Sequence, residues 1–263
     1  MDFPKAEDKV RNFYDQKGWN VNADGSTKDA ELWEDLRPVA KNYVVACRRK
    51  LLKFLPRSGD LFLDAASGPV QYPEYLEYSA GFKKRVCVDI SQAALTSAKE
   101  KLGDHAETVL SSVTKLPMAD NAFDAVVSLH TIYHIDESEQ EKAVRELLRV
   151  AKPGAPVVIV YSNPNRLLAR VKRYLKPSGT RATEGDHLYF HAFPLKWWSR
   201  FEDDALVEKH SWRFLTASDA QKFIPAGFLG KTIFSLFLTI ESALPSFAVN
   251  FGAYPLIVLK KIK

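Results

Sequence analysis

The sequence predicts an α/β fold built on a parallel sheet, and three observations carry that reading. Apolar runs of strand length recur between Leu61 and Tyr161, helix-patterned segments separate them, and the first two runs each end in an acid. Strands alternating with helices at this interval require right-handed crossovers and therefore parallel neighbours. Asp64 closes the run Leu61–Asp64 and Asp89 closes the run Arg85–Asp89, 25 residues further on. That separation fits one strand–turn–helix–strand unit. It puts both acids at the carboxyl ends of adjacent strands, where open α/β sheets bind ligands. An acid at the tip of the second strand is placed to accept both hydroxyls of a nucleoside ribose. The small-residue turn Ala65-Ala66-Ser67-Gly68-Pro69 lets backbone N–H groups approach the same ligand. An adenosine-containing cofactor is the expected partner.

Taken in order, residues 1–57 read as helical, with apolar residues at helical spacing (Val10, Phe13, Tyr14; then Ala40, Val44, Cys47, Leu51, Leu55) around a loop at Gly18–Ser26. Residues 58–163 hold strands at Leu61–Asp64, Arg85–Asp89, Glu107–Leu110, Ala122–Leu129 and Pro156–Tyr161. Helices are expected at Pro73–Ser79, Gln92–Leu102 and Glu137–Val150, the last stopped by Ala151-Lys152-Pro153-Gly154. Residues 164–252 break the rhythm. They comprise a basic helix at Asn165–Leu175, a loop at Lys176–Asp186, the aromatic-dense run His187–Phe201, a strand at Ala205–Phe214, and helices at Ala217–Ile224 and Leu229–Ala243. Residues 253–263 carry a last buried strand, Tyr254–Leu259.

Composition narrows the class. With 263 residues, 46% hydrophobic and 26% charged, the chain is an ordinary globular protein of one large domain, or one domain with a substantial insertion. Its net charge of +5 is spread and interleaved with acids, so no nucleic-acid-binding arm is expected. Cys47 and Cys87 are the only cysteines and support neither a disulfide framework nor a metal site. No secretion signal opens the chain, and the apolar segment Phe228–Pro245 is interrupted by Lys231 and Glu241. A cytoplasmic location is the expectation.

Four features now stand in order: the loop after Asp64; Asp89; Lys115-Leu116-Pro117 followed by Asn121-Ala122-Phe123-Asp124-Ala125-Val126-Val127; and Leu148-Arg149-Val150-Ala151-Lys152-Pro153-Gly154. In this constellation the sequence resembles the class I S-adenosylmethionine (SAM)-dependent methyltransferases, within them the small-molecule branch that includes the quinone-type methyltransferases. Phe13–Trp19 resembles the lid of that branch. The glycine-poor loop departs from the dinucleotide pattern G-x-G-x-x-G and argues against NAD. The resemblance implies a Rossmann-like, seven-stranded, mostly parallel sheet with helices on both faces. It also implies an N-terminal helical lid (1–57), a SAM-binding core (58–163), an aromatic-rich helical insertion or substrate cap containing a sixth strand (164–252), and a last core strand (253–263).

It further implies roles. Ala65, Ala66, Ser67 and Gly68 would run beside the amino-acid part of SAM, with Asp64 holding that loop. Asp89 would take the ribose hydroxyls, and Ile90 would pack on adenine. Many relatives carry an acid for the adenine amino group shortly before Leu116-Pro117. Here Ser112 and Val113 stand in that region as substitutes. Tyr14 would close over the cofactor. His130, and less so His134, follow the fourth strand and are candidates for SAM or substrate contact and for a general base, because imidazole titrates near neutral pH. Both also fit a structural part. Tyr133, His187, His191 and Trp197 are candidate substrate contacts, with core packing as the competing reading for the tryptophan. Asp186, His187 and His191 are too few ligands on too irregular a segment to make a metal site.

The expected activity is methyl transfer from SAM, with S-adenosylhomocysteine as product, to a small-molecule acceptor such as a hydroxyl of a sugar, polyketide or other secondary metabolite. A quinone or lipid acceptor reached at a membrane surface is the runner-up. RNA or protein methylation and a non-catalytic SAM-fold interaction protein are further alternatives. Oligomeric state is left open.

Overall fold

The computed structural model describes residues 5–20, 22–23, 26–175 and 188–262. Helix α1 (Lys5–Phe13) runs through a wide turn at Tyr14–Gly18 toward α2 (Lys28–Trp33) and α3 (Lys41–Arg49). Thr27 caps α2 by accepting the Ala30 N–H at 3.2 Å. Then come β1 (Gly59–Ala65), α4 (Pro73–Glu77), β2 (Phe82–Asp89), α5 (Gln92–Leu102), β3 (Ala106–Leu110), β4 (Ala125–Leu129), α6 (Gln140–Val150) and β5 (Pro156–Val160). The rest is α7 (Leu167–Leu175), β6 (Ala205–Arg213), α8 (Ala217–Phe223), α9 (Gly227–Ala243), α10 (Pro245–Phe251) and β7 (Tyr254–Lys261).

The strands form one sheet in the order β3-β2-β1-β4-β5-β7-β6. The first five are parallel, while β7 enters antiparallel between β5 and β6. From β1 the chain winds outward through β2 to β3, and from β4 it winds the other way to β5. The winding therefore reverses between β1 and β4, and a crevice opens at their carboxyl ends.

Alternation along each strand divides the core. Val157 and Ile159 of β5 join the cluster beneath α6 and the aromatic turn Trp197, Trp198 and Phe201. Val158 and Val160 face the opposite cluster, built with α3, Phe234 of α9 and Ala248 of α10. Residues from the 164–252 segment thus complete the main core on both faces. Helix α6 starts at Gln140, three residues later than the sequence predicts. The Asp136 carboxylate takes the N–H and the hydroxyl of Ser138 at 3.1 and 2.6 Å and holds a turn ahead of the helix. The run His187–Phe201 resolves into an extended stretch and a 3-10 helix at Leu195–Phe201. Lys176–Asp186 and His187 lie outside the described residues.

Candidate active site

A cavity of about 250 Å³ occupies the crevice. Asp64, Ala66, Ser67 and Gly68 enter from the end of β1, Asp89 and Ile90 from β2, and His130, Tyr133 and His134 from the segment after β4. Val10, Tyr14 and Trp19 close it from the lid.

On the β2 side the central group is Asp89. One carboxylate oxygen accepts the Gly68 N–H at 2.8 Å and the other accepts the Ser91 N–H at 2.9 Å. These bonds favour the ionised form, but burial outweighs them and pushes the carboxyl up to about 6. The loop is therefore tethered by Asp89. Asp64 instead pairs with the fully buried Arg85 of β2, whose second nitrogen reaches the Tyr75 carbonyl at 2.6 Å. Ala66, Val70 and His130 hold left-handed backbone at φ 57, 48 and 59°, a conformation that non-glycine residues adopt only when their surroundings enforce it. At Gly68 (φ 54°) an added Cβ would lie 3.1 Å from the Trp19 ring, so the lid rests directly on the loop. Trp19 stacks on Tyr14 at 4.5 Å. Tyr14 hydrogen-bonds Asp29, another cavity residue, whose carboxyl is also raised to about 6 by burial.

The opposite side is aromatic, with Tyr133, Phe190, Trp212 and Tyr254 as walls. His130 lies edge-on between Trp212 and Tyr254, at 4.6 and 5.1 Å, and its Nδ1 is 2.9 Å from the Tyr133 hydroxyl. His134 Nδ1 lies 2.7 Å from the Tyr189 carbonyl. A carbonyl only accepts, so Nδ1 carries the proton and Nε2 is left as the acceptor of a neutral ring. Burial lowers the pKa of both imidazoles, that of His134 to about 4. Beneath them Glu34 binds two buried arginines, Arg213 of β6 and Arg48 of α3, the latter at 2.9 Å.

Other expected site residues lie outside this lining. Ala65 is sealed in the β1 ladder. The Ser112 hydroxyl turns to Glu7 of α1 at 2.9 Å, and Val113 is core. Trp197 is a correction to its reading as a substrate contact. It stacks on Phe193 at 5.0 Å and packs against Phe201, inside the cluster beneath α6. His191 is a fastener: its backbone N–H reaches the Tyr133 carbonyl at 2.8 Å and its ring lies 3.0 Å from Glu137. Asp29, Glu34, Arg85 and Arg213 were missed. Arg85 opens the predicted second strand, and a basic residue within a buried strand is itself a signal that an acid must meet it. The other three carry no local pattern.

Residues 63–159 match the family model described as a methyltransferase domain. The demethylmenaquinone methyltransferase of Clavibacter sepedonicus is 31% identical over 166 residues, covering 62% of this chain and 59% of the relative. Residues 63–159 thus carry a methyltransferase domain, and the likeness supports a class I SAM-dependent methyltransferase. Ajmaline N-methyltransferase of Rauvolfia serpentina is 41% identical over a shorter stretch, 25% of this chain and 22% of the relative. The matches thus span from about a fifth to three fifths of these relatives' lengths. Across the whole chain the fold is that of a geranyl diphosphate C-methyltransferase from Streptomyces coelicolor A3(2), solved with Mg²⁺, geranyl diphosphate and S-adenosyl-L-homocysteine. That structure has a TM-score of 0.62 at 15% identity and covers 99% of this chain and 100% of its own.

The residues present suit SAM. Asp89 combines an acceptor-only carboxylate with a tethered loop in strained backbone, and Trp19 and Tyr14 line the same cavity with aromatic surface.

Proposed function

We propose that this protein transfers a methyl group from SAM to a hydroxyl oxygen of a small, largely apolar, ring-bearing acceptor. One observation carries the reading: Asp89 and His134, a neutral imidazole whose Nδ1 is fixed on the Tyr189 carbonyl, line the same cavity. In this reading Asp89 takes the ribose hydroxyls through charge-assisted bonds. Ile90 packs on adenine. The backbone of Ala66, Ser67 and Gly68 runs beside the amino-acid part, and Tyr14 and Trp19 cover it. Bound SAM supplies an electrophilic methyl on a sulfonium cation, so the protein's task is mainly to align a nucleophile and exclude water.

His134 is the residue we assign to the acceptor hydroxyl. Its Nε2 accepts the hydroxyl proton while Nδ1 stays fixed on the Tyr189 carbonyl. His130, preferred on sequence grounds, serves in this reading to shape the wall with Tyr133. The burial that keeps His134 neutral also makes it a weak base. A weak base suits an acidic hydroxyl, phenolic or enolic, better than a sugar alcohol. The aromatic walls favour the same class.

The test is a transfer assay with isotopically labelled SAM against phenols, enols, sugars and quinol analogues, with the methylated atom located by NMR. We expect O-methylated phenols or enols. His134→Ala should lower kcat roughly 10²-fold with S-adenosylhomocysteine affinity within a few-fold of wild type. Carbon methylation, or a variant turning over at the wild-type rate, would overturn the assignment.

A further inference from the structure

The face built by α7, α8 and the start of α9 is left unexplained by the chemistry above. Phe228 and Leu229 open α9 at 85% and 61% exposed, and Phe223, Val171 and Tyr174 are also bare. Single exposed apolar residues are ordinary, but these lie on three neighbouring helices, α7, α8 and α9. Arg166 and Lys172 reach Asp219 of α8 at 3.6 and 3.2 Å. Arg37 donates to the carbonyls of Ala220 and Ile224, which carries exposed Leu36 to the end of α8. Gly230 of α9 abuts the Pro225 carbonyl and Val39. Just before Leu36, Trp33 is 55% exposed and also lines the cavity, as does Phe190 at 56%. Exposed apolar side chains thus occur from these helices to the cavity lining.

Its charge is one-sided. Residues 164–175 and 217–252 contain two acids, Asp219 and Glu241, both buried. Arg170, Lys172, Arg173, Lys222 and Lys231 are exposed there. Within these two segments, exposed aromatic and aliphatic side chains interleaved with cations, without exposed acids between them, complement an anionic lipid surface; toward the cavity mouth the exposed Glu31 is paired with Lys28 at 2.6 Å. Among the described residues no single helix is long and apolar enough to cross a membrane, and α9 and α10 form an apolar pair bent by 110°. Phe234 of α9 and Ala248 of α10 are packed in the protein core, so it is the exposed opening of α9 that is free to meet an interface.

We infer that this face docks on an anionic lipid bilayer, with Phe228 and Leu229 inserted among the acyl chains and the basic side chains over the headgroups. The inference stands apart from the identity of the methyl acceptor. It does, however, open the cavity toward the lipid, from which an apolar molecule would enter past Trp33 and Phe190.

The test is cosedimentation of the full chain with vesicles of phosphatidylcholine alone or with about 30% phosphatidylglycerol, at low and high salt. We expect binding to the anionic vesicles, little to the neutral ones, and loss at high salt. The double variant Phe228→Ser/Leu229→Ser should partition roughly tenfold less or worse. Its circular dichroism and S-adenosylhomocysteine affinity should stay unchanged, showing that fold and cofactor site are intact. No binding to either vesicle, or equal partition of wild type and variant, would overturn the inference. So would a wild-type dimer in sedimentation that the double variant dissociates, since the face would then belong to a second copy.

Discussion

Asp89 is held ionised by two backbone N–H groups and pushed toward neutrality by burial, and the outcome is a carboxyl at about 6. The sign of its effect on binding follows. In the proposed role ribose hydroxyls donate to the ionised form, so binding should be insensitive to pH well above 6. Below 6, binding must first expel a proton. Titrating with S-adenosylhomocysteine from pH 8 down to pH 5 should give a flat Kd, then roughly tenfold weakening per unit below about 6. Asp89→Asn should be weaker throughout and flatter. A Kd indifferent to pH down to 5 would remove Asp89 from the ribose site. This residue was legible because a strand end and an acid coincide in the sequence. Asp29 and Glu34 were not, because their partners, Tyr14 and Gln71 for the first and Arg48 and Arg213 for the second, are supplied by the tertiary fold.

Helix α9 shows the same limit one level up. Its apolar composition was plain, and Glu241 read as an interruption of it. In the fold Glu241 is the anchor. It accepts the Tyr43 hydroxyl at 2.5 Å and the Phe214 N–H at 2.9 Å, and it pairs with Lys50, joining α9 to α3 and the end of β6. Removing one partner of a buried ion pair strands the other, so Glu241→Ala should cost about 3 kcal/mol, read by denaturant unfolding. A loss below about 1 kcal/mol would mean that water replaces the carboxylate at little cost. Glu241→Gln, which keeps the acceptor for Tyr43 and Phe214, should recover part of the loss. The strands were easier to read than this helix, because period-two burial is local. Even β3, whose outward positions are polar, was expected at Glu107–Leu110, and the strand runs Ala106–Leu110.

At the scale of the whole molecule, reversal of the winding between β1 and β4 gathers Asp64, Asp89 and His130 at one sheet edge, although 66 residues separate the first from the last. Alternation of strand and helix implied that much, and the crevice follows from the connectivity of any such sheet. The roof was harder. Trp19 resting on Gly68, and Phe190 and Tyr254 converging on His130 and Tyr133, depend on how the lid and the C-terminal half fold back over the edge. Aromatic content alone did not distinguish Trp197, which is core, from Trp212 and Trp33, which line the cavity.

The central claim is that this edge holds SAM through Asp89, and calorimetric titration of S-adenosylhomocysteine into wild type and Asp89→Ala at pH 7.5 tests it most directly. The account predicts one-to-one binding at micromolar strength or better in wild type. It predicts roughly 10²-fold weaker binding in the variant, with its circular dichroism unchanged. No heat from folded, ligand-free wild type, or equal affinity in the two proteins, would contradict it.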